Sequence, residues 1–426
     1  MSGLPWKPQV ADPILVKWNP LSSSTLLAVL ALGLGFENCS GGAKSFILHP
    51  GDYIIASLTP SLPVDGTEPY VLPMQVGCGS VNMPCVSVTV CEVGGGSCKT
   101  IDHVLVDTGS VGLRIFSNSL TGLNLPQIVD SQNHHLSECQ SYADGSSQWG
   151  SLVTADLKLG GFVARAIAIQ NVDLAFGSVP PDCQSPQGSA TAFNGILGVG
   201  FFGQDCGAFC ASPDHGDNRI YFDCQASDTN CGAHSISVAM LEQMQNPVSQ
   251  LPEFNNGVIL QIPNVSNIGA PPLPGFLILG IKTAPHNTPT GSPVVLQPSA
   301  SGDIETILNG QTYPAFFDSG SNGIFFPNFL QLPACRQSAG FYCPQQTLPL
   351  QGTLLASSPA INQPVQFAIA DADQLSQQTG FAVFNNIGGP FAVEFDWGLP
   401  FFIGRTVYIG FENTSDGLAV GPYWAY

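Results

Sequence analysis

Two stretches of this chain repeat one phrase. VLVDTGSVGLRIF runs from Val104 to Phe116, and AFFDSGSNGIFFP runs from Ala315 to Pro327. Aligned, Asp107 falls on Asp318, Gly109 on Gly320, Ser110 on Ser321, Gly112 on Gly323 and Leu113 on Ile324, at one offset (318 − 107 = 211). A single Asp-Ser/Thr-Gly-Ser is ordinary turn composition, because short polar side chains bond the local backbone and Gly tolerates positive φ. Two copies in register, each behind an apolar strand, imply a duplicated half-molecule instead. A carboxylate beside such a strand is costly to bury unless it is hydrogen-bonded or shares its charge. Pseudo-symmetric halves would bring both carboxyls to their interface, where one proton serves the pair. A second landmark is read the same way: ILG at Ile196–Gly198 in the first half and FIG at Phe402–Gly404 in the second.

The rest of the chain fits two β lobes. Gly (47) and Pro (35) are abundant, and short β-branched runs such as CVSVTVCEV, TIDHVLV, SLVTADLKLG, FVARAIAI, GVILQIP and RTVYIGF recur between turn residues. Apolar residues make up 44% of the 426, enough for a large core. The spacing predicts one helix, Ile236 to Gln245, closed by Asn246–Pro247. The lobe boundary is expected near residue 250, giving lobes over 69–250 and 251–426. With 30 acidic and 11 basic residues, the net charge of −19 argues against nucleic acid or an anionic membrane as partner.

Lys7 and Lys17 precede the apolar run LSSSTLLAVLALGLGF, the layout of an export leader over residues 1–35. Residues 36–68 read as a linker, and Cys39 is a candidate for lipidation, which would make a lipid anchor the one route to a membrane. The expected compartment is therefore extracytoplasmic: periplasm, outer membrane or outside the cell. Without Cys39 the cysteines number twelve. Cys78 and Cys85, Cys91 and Cys98, Cys206 and Cys210, Cys224 and Cys231, and Cys335 and Cys343 fall close together, leaving Cys139 and Cys183. Short-range disulfides stapling loops are the expectation, with connectivity left open. No CxxC pair or HExxH spacing is present, so neither metal nor cofactor is expected. His134 and His135 sit in a polar loop and are expected to face solvent.

These motifs together resemble the pepsin-like aspartic peptidases. The resemblance rests on the two Asp motifs, on YADGSSQWG (Tyr142–Gly150), which resembles the flap hairpin of that family, and on the closing strands LPFFIGRTVYIGFENTSDGLAVGPYWAY. NGILGVGFFGQDCG and FDWGLPFFIGR resemble more closely still a bacterial exported family of uncharacterised proteins, itself a distant pepsin relative. The resemblance covers about residues 70–426. It implies an all-β, bilobal pepsin-like fold with a cleft between the lobes, and an Asp107/Asp318 dyad acting on extended polypeptide. It further implies that Thr108 and Ser319 cross-brace the loops, that Gly109 and Gly320 donate N–H bonds to the carboxyls, and that Ser110 and Ser321 bond their outer oxygens. Tyr142, Gly145 and Ser146 would form the flap. A monomer is expected.

Three features depart from the family. Arg114 stands where relatives carry a Trp that bonds the flap Tyr, with Trp149 as a candidate replacement. Arg405 follows Gly404 where relatives place an Asp, and is expected to pair with a nearby acid or to act on the dyad's charge. No Lys-rich prosegment precedes the first motif. These departures motivate the alternative of a pepsin-fold binding protein or inhibitor with a silent cleft, since a fold does not fix activity.

Overall fold

A computed structural model describes residues 61–426 except 182, 184, 188–189, 191, 216–217, 226–229, 233–234 and 358–359. The export leader and Cys39 lie outside the described residues. Strands β1 (Val71–Val76), β2 (Pro84–Cys91), β3 (Cys98–Asp107) and β4 (Val111–Phe116) open the fold. β5 (His135–Ser141), β6 (Ser147–Leu159), β7 (Phe162–Val172), β8 (Gly195–Val199) and β9 (Tyr221–Cys224) follow. Next come β10 (Gly257–Gln261), β11 (Leu273–Leu279), β12 (Val295–Leu296), β13 (Ile304–Leu308) and β14 (Gln311–Phe317). The last are β15 (Ile324–Phe326), β16 (Leu348–Ser357), β17 (Ala360–Ile369), β18 (Gly388–Pro390), β19 (Phe395–Trp397), β20 (Thr406–Gly410) and β21 (Tyr423–Ala425). The α-helices are single turns such as Ser117–Leu120 and Leu399–Phe402, so the protein is all-β as expected.

Strand chemistry explains the pairing. β6 and β7 form the longest hairpin, closed at Gly160–Gly161, where Gly160 takes φ +56 and a side chain would strike the Pro69 carbonyl. One sheet runs β12-β21-β20-β10-β11-β1-β2-β3-β8-β4-β7-β6-β5-β9, and a second runs β17-β16-β13-β14-β19-β15-β18. The first sheet thus carries strands from both ends of the chain: β1 pairs antiparallel with β11, and β10 with β20. Leu62 is buried and donates its N–H to Gln261. The second sheet closes over aromatic rings: Phe326, Phe367 and Phe395 contact one another, and Trp397 packs against Phe367 and Phe395.

The expected helix at Ile236–Gln245 is absent. Its backbone is spent on other segments: Val238 N–H donates to Cys210 O at 2.9 Å, and Met244 N–H to the Tyr221 hydroxyl at 2.8 Å. Tertiary partners outbid the i→i−4 ladder there, and helical propensity is a weak preference of tenths of a kcal/mol per residue.

The bonded cysteine pairs are Cys78–Cys85, Cys91–Cys98, Cys139–Cys183, Cys206–Cys210, Cys224–Cys231 and Cys335–Cys343. Disulfides in such number belong to a chain that matures in an oxidising compartment. Among the described residues no helix is long and apolar enough to cross a membrane.

Candidate active site

Each Asp loop leaves the middle of a sheet. β8 lies between β3 and β4, parallel to the first and antiparallel to the second, so Asp107 faces Gly198. The second half repeats this: β19 lies parallel to β14 and antiparallel to β15. Asp318 donates its N–H to Trp397 O at 3.2 Å, one step beyond the Phe317–Trp397 pair. The counterpart of Gly198 is therefore Gly398, and the pairing of ILG with FIG is corrected. Gly404 lies past the helical turn Leu399–Phe402, where it donates to Ile262 O. Register decides the matter: both Asp+6 residues, Leu113 and Ile324, pair with the residue just before the true glycine. Neither glycine tolerates a side chain, since a Cβ at 398 would stand 2.0 Å from Gly323 O and one at 198 would stand 2.7 Å from Val111 N.

The two loops clasp each other reciprocally. Thr108 N–H donates to Ser319 Oγ at 3.1 Å, and Ser319 N–H donates to Thr108 Oγ1 at 2.9 Å. Each hydroxyl then donates to a carbonyl of the opposite strand, Thr108 to Phe317 O at 3.2 Å and Ser319 to Val106 O at 2.7 Å. Asn82 adds a further tie, donating to Asn322 O and Phe384 O at 2.8 Å each.

This clasp brings the Asp107 and Asp318 side chains into hydrogen-bond contact, both fully buried. Gly109 N–H and the Ser110 hydroxyl donate to Asp107, and Gly320 N–H (2.7 Å) and the Ser321 hydroxyl (2.8 Å) donate to Asp318. Burial pushes the Asp107 carboxyl up, while bonds from Asp318, Ser110 and Gly109 hold it down. Asp318 is pushed well above the carboxylate range by burial and then by the neighbouring Asp107 charge. Two like charges in one buried site cannot both form, so the pair shares one proton, with Asp107 the first to ionise. One carboxylate that accepts protons and one acid that donates them stand side by side.

The flap motif forms the β5–β6 hairpin. Tyr142 N–H donates to Ser146 O and Gly145 N–H to Tyr142 O, with Gly145 at φ +83 on an exposed tip and Ser146 bonded to Asp144. The Tyr142 ring packs with Leu105 and Ile196, beside the strand that ends in Asp107. Its hydroxyl donates to Gln148 Oε1 at 2.7 Å, and Trp149 Nε1 donates instead to Phe176 O. Trp149 Nε1 thus does not bond Tyr142.

Arg114 serves the hairpin from below. Fully buried, it donates to Glu138 Oε1 (2.5 Å) and Gln140 Oε1 (2.7 Å) on β5 and to Val111 O, with Asp205 Oδ2 at 3.7 Å. Burial pushes Asp205 well up, and the Tyr221 hydroxyl donates to it. The expectation that Arg405 pairs with a nearby acid is corrected. It forms no ion pair among the described residues; its guanidinium lies 4.5 Å over the Phe401 ring and donates to Phe401 O. Burial lowers it to about 10.

Beside the clasp opens a cavity of about 340 Å³, lined by Gly109, Ser110, Phe201, Phe202, Phe316 and Asp303 among others. His134 is half-buried between Asp223 (2.9 Å) and Asp130 (3.7 Å), not simply solvent-facing. Those three groups lie close enough together to hold a cation, and within the cluster His134 Nδ1 and Asp223 Oδ2 already share a hydrogen bond. Cys335, Cys343 and Asp373 also lie together, but both sulfurs are bonded to each other.

One buried acid escapes a reading of the motifs. Asp396, on β19, lies one step before Trp397 in the strand that faces Asp318. Its signal in the sequence is an Asp within FDWG, where the first half has the apolar ILG.

The fold and site define an all-β protein with paired, cross-braced Asp loops. The chain belongs to the family described as "Protein of unknown function (DUF3443)", whose model matches residues 67–426. No match was found among curated proteins. Among solved structures, an aspartic proteinase from Irpex lacteus is similar at 13% identity with a TM-score of 0.45, over 83% of this chain and 96% of that one.

Proposed function

We propose that the protein is an exported aspartic endopeptidase that cleaves extended polypeptide at the Asp107/Asp318 dyad. The observation that carries this reading is the reciprocal clasp of Thr108 and Ser319, which holds two buried, hydrogen-bonded carboxyls, Asp107 and Asp318, together in paired loops. In the reading, a water held between them loses a proton to ionised Asp107 as its oxygen attacks the scissile carbonyl. Protonated Asp318 donates to the carbonyl oxygen as charge develops there. Aspartic peptidases are the standing example of such a pair. The tetrahedral intermediate collapses as the amine leaves with a proton from Asp107 and the re-forming carbonyl returns a proton to Asp318, which restores the pair. Tyr142 and the tip at Gly145 and Ser146 cover the substrate, and the cavity beside Gly109 and Phe316 accepts a side chain. The disulfides are consistent with action outside the cytoplasm.

The test is cleavage of a denatured protein at acid pH by the purified chain. Asp107→Asn and Asp318→Asn should each lower turnover by about 10²–10⁴-fold, the usual share of general acid–base catalysis. Turnover that survives either change ends the assignment. Complete burial of both carboxyls favours a second reading, a peptide-binding protein or inhibitor with a silent cleft. Tight binding of peptides with no cleavage from about pH 3 to 8, the span of carboxyl and imidazole titration, would select it.

A further inference from the structure

Asp396 occupies a place that the first half gives to an apolar residue. It pairs with Phe316 of β14 and Phe325 of β15; by the same register Ile196 pairs with Leu105 and Arg114. Duplication makes that comparison a control, because the second half has put a carboxyl where packing alone is served by isoleucine. The groups that face it can be named. Asp318 follows β14, Asp107 ends β3, and Glu394 precedes Asp396 on its own segment, with Asp303 next to Glu394. None of these neighbours is a cation. The Ser321 hydroxyl, committed to Asp318 Oδ2 at 2.8 Å, also touches the Asp396 carboxyl, though neither Asp396 oxygen receives a well-aligned bond.

We propose that Asp396 is a third acid of this site, a positioning residue that keeps the proton on Asp318 over a wider pH range than the dyad alone would. The inference rests on the dyad reading above. Three buried carboxyls cannot all ionise together when the one cation that acts on them, Arg114, favours Asp107 alone. Asp107 ionises first, with two donors besides Asp318 to hold its charge. Asp318 feels both Asp107 and Asp396, so it is last. The charge of Asp396, where it forms, stands beside Asp318 and opposes loss of the proton that the mechanism needs. Burial pushes Asp396 well up as well, which leaves it neutral while Asp107 takes the first charge.

The sign follows. Removing the Asp396 charge lowers the proton affinity of Asp318, so the basic limb of activity moves to lower pH. In Asp396→Asn, which keeps shape and polarity, the basic limb of the kcat/KM profile should move down by about one pH unit or more, the usual effect of a like charge. A side chain that merely packs would leave the limb in place, so superimposable profiles overturn the proposal. A second readout does not depend on turnover: carboxyl ¹³C resonances of labelled Asp, with Asp318 assigned through Asp318→Asn. The Asp318 titration should move to lower pH in Asp396→Asn. In the unsubstituted protein its curve should carry two inflections below its own, from Asp107 and from Asp396. A single inflection overturns the inference even if Asp396→Asn does not fold. A shifted Asp318 titration in a chain that cleaves nothing would instead count against the peptidase reading alone.

Discussion

At position 114 the chain places an arginine where no water reaches, and two carboxyls and a glutamine answer it. A buried ion pair gains little over a well-packed apolar pair, but breaking one partner away leaves a naked charge. Arg114→Met should therefore cost about 3–5 kcal/mol in urea unfolding, because Glu138 and Gln140 are left buried without the donor that answers them. Adding Glu138→Gln should recover part of that loss; a double variant no more stable than the single would show that the charge is not what suffers. The same residue shows what a sequence can and cannot tell. Asp107 and Asp318 are legible because a repeat marks them and the chemistry of burying a carboxyl next to an apolar strand demands an explanation. The partners of Arg114 are illegible, since Glu138 and Asp205 meet it only after β5 and the loop beyond β8 fold back. Asp396 stayed hidden for another reason: it breaks the repeat instead of sharing it.

At the scale of an element, the strand threaded between the arms of each Asp loop is the part least able to change. A Cβ added at Gly398 would stand 2.0 Å from Gly323 O and 2.7 Å from Ser321 O, so Gly398→Ala must push apart the loop that carries Asp318. Overpacking of this kind typically costs 1–3 kcal/mol or more, since backbone cannot step aside as a side chain can. The expected outcome is a lowered urea midpoint and a loss of turnover larger than any loss of substrate affinity. An alanine variant as stable as the parent would mean that the strand has more room than its register suggests. The clasp predicts a milder effect: Thr108→Val removes one donor and one acceptor and strands Ser319 N–H, about 1–3 kcal/mol. The β strands were read from alternation and branched side chains, whereas the helix at Ile236–Gln245 was not found because its backbone bonds go to Cys210 and Tyr221, far off in sequence. Matching the wrong glycine in the second half has a similar origin. FIG looks like ILG, but only the ladder reveals which residue lies opposite the aspartate.

At the scale of the whole molecule, buried acids set how stability responds to pH. Burial raises Asp107, Asp205, Asp318 and Asp396 in the native state, and to a lesser extent the half-buried Asp303 and Glu394. The native chain then holds more protons than the unfolded one once pH exceeds about 4, where free carboxyls ionise. The stability these raised acids contribute is full below that point and falls as pH rises toward the native values, since its slope follows the protons bound unfolded minus those bound native. Asp65 and Asp373, held below the usual range by backbone and side-chain bonds, act the other way only at lower pH. The net charge of −19 pulls the same way. The urea midpoint, with disulfides intact, should therefore be higher near pH 4 than near pH 7, and a rising midpoint across that interval would contradict the assignment of raised acids. The clasp between Thr108 and Ser319 also bears on how such a molecule can evolve. Its bonds run from a hydroxyl to a peptide group, never to a variable side chain, and Asn82 reaches across in the same manner. Either half can thus drift, or be grafted from a diverged cousin, without its mate having to mutate in compensation. Recombination needs to preserve only a hydroxyl at each of the two positions and an unblocked amide opposite.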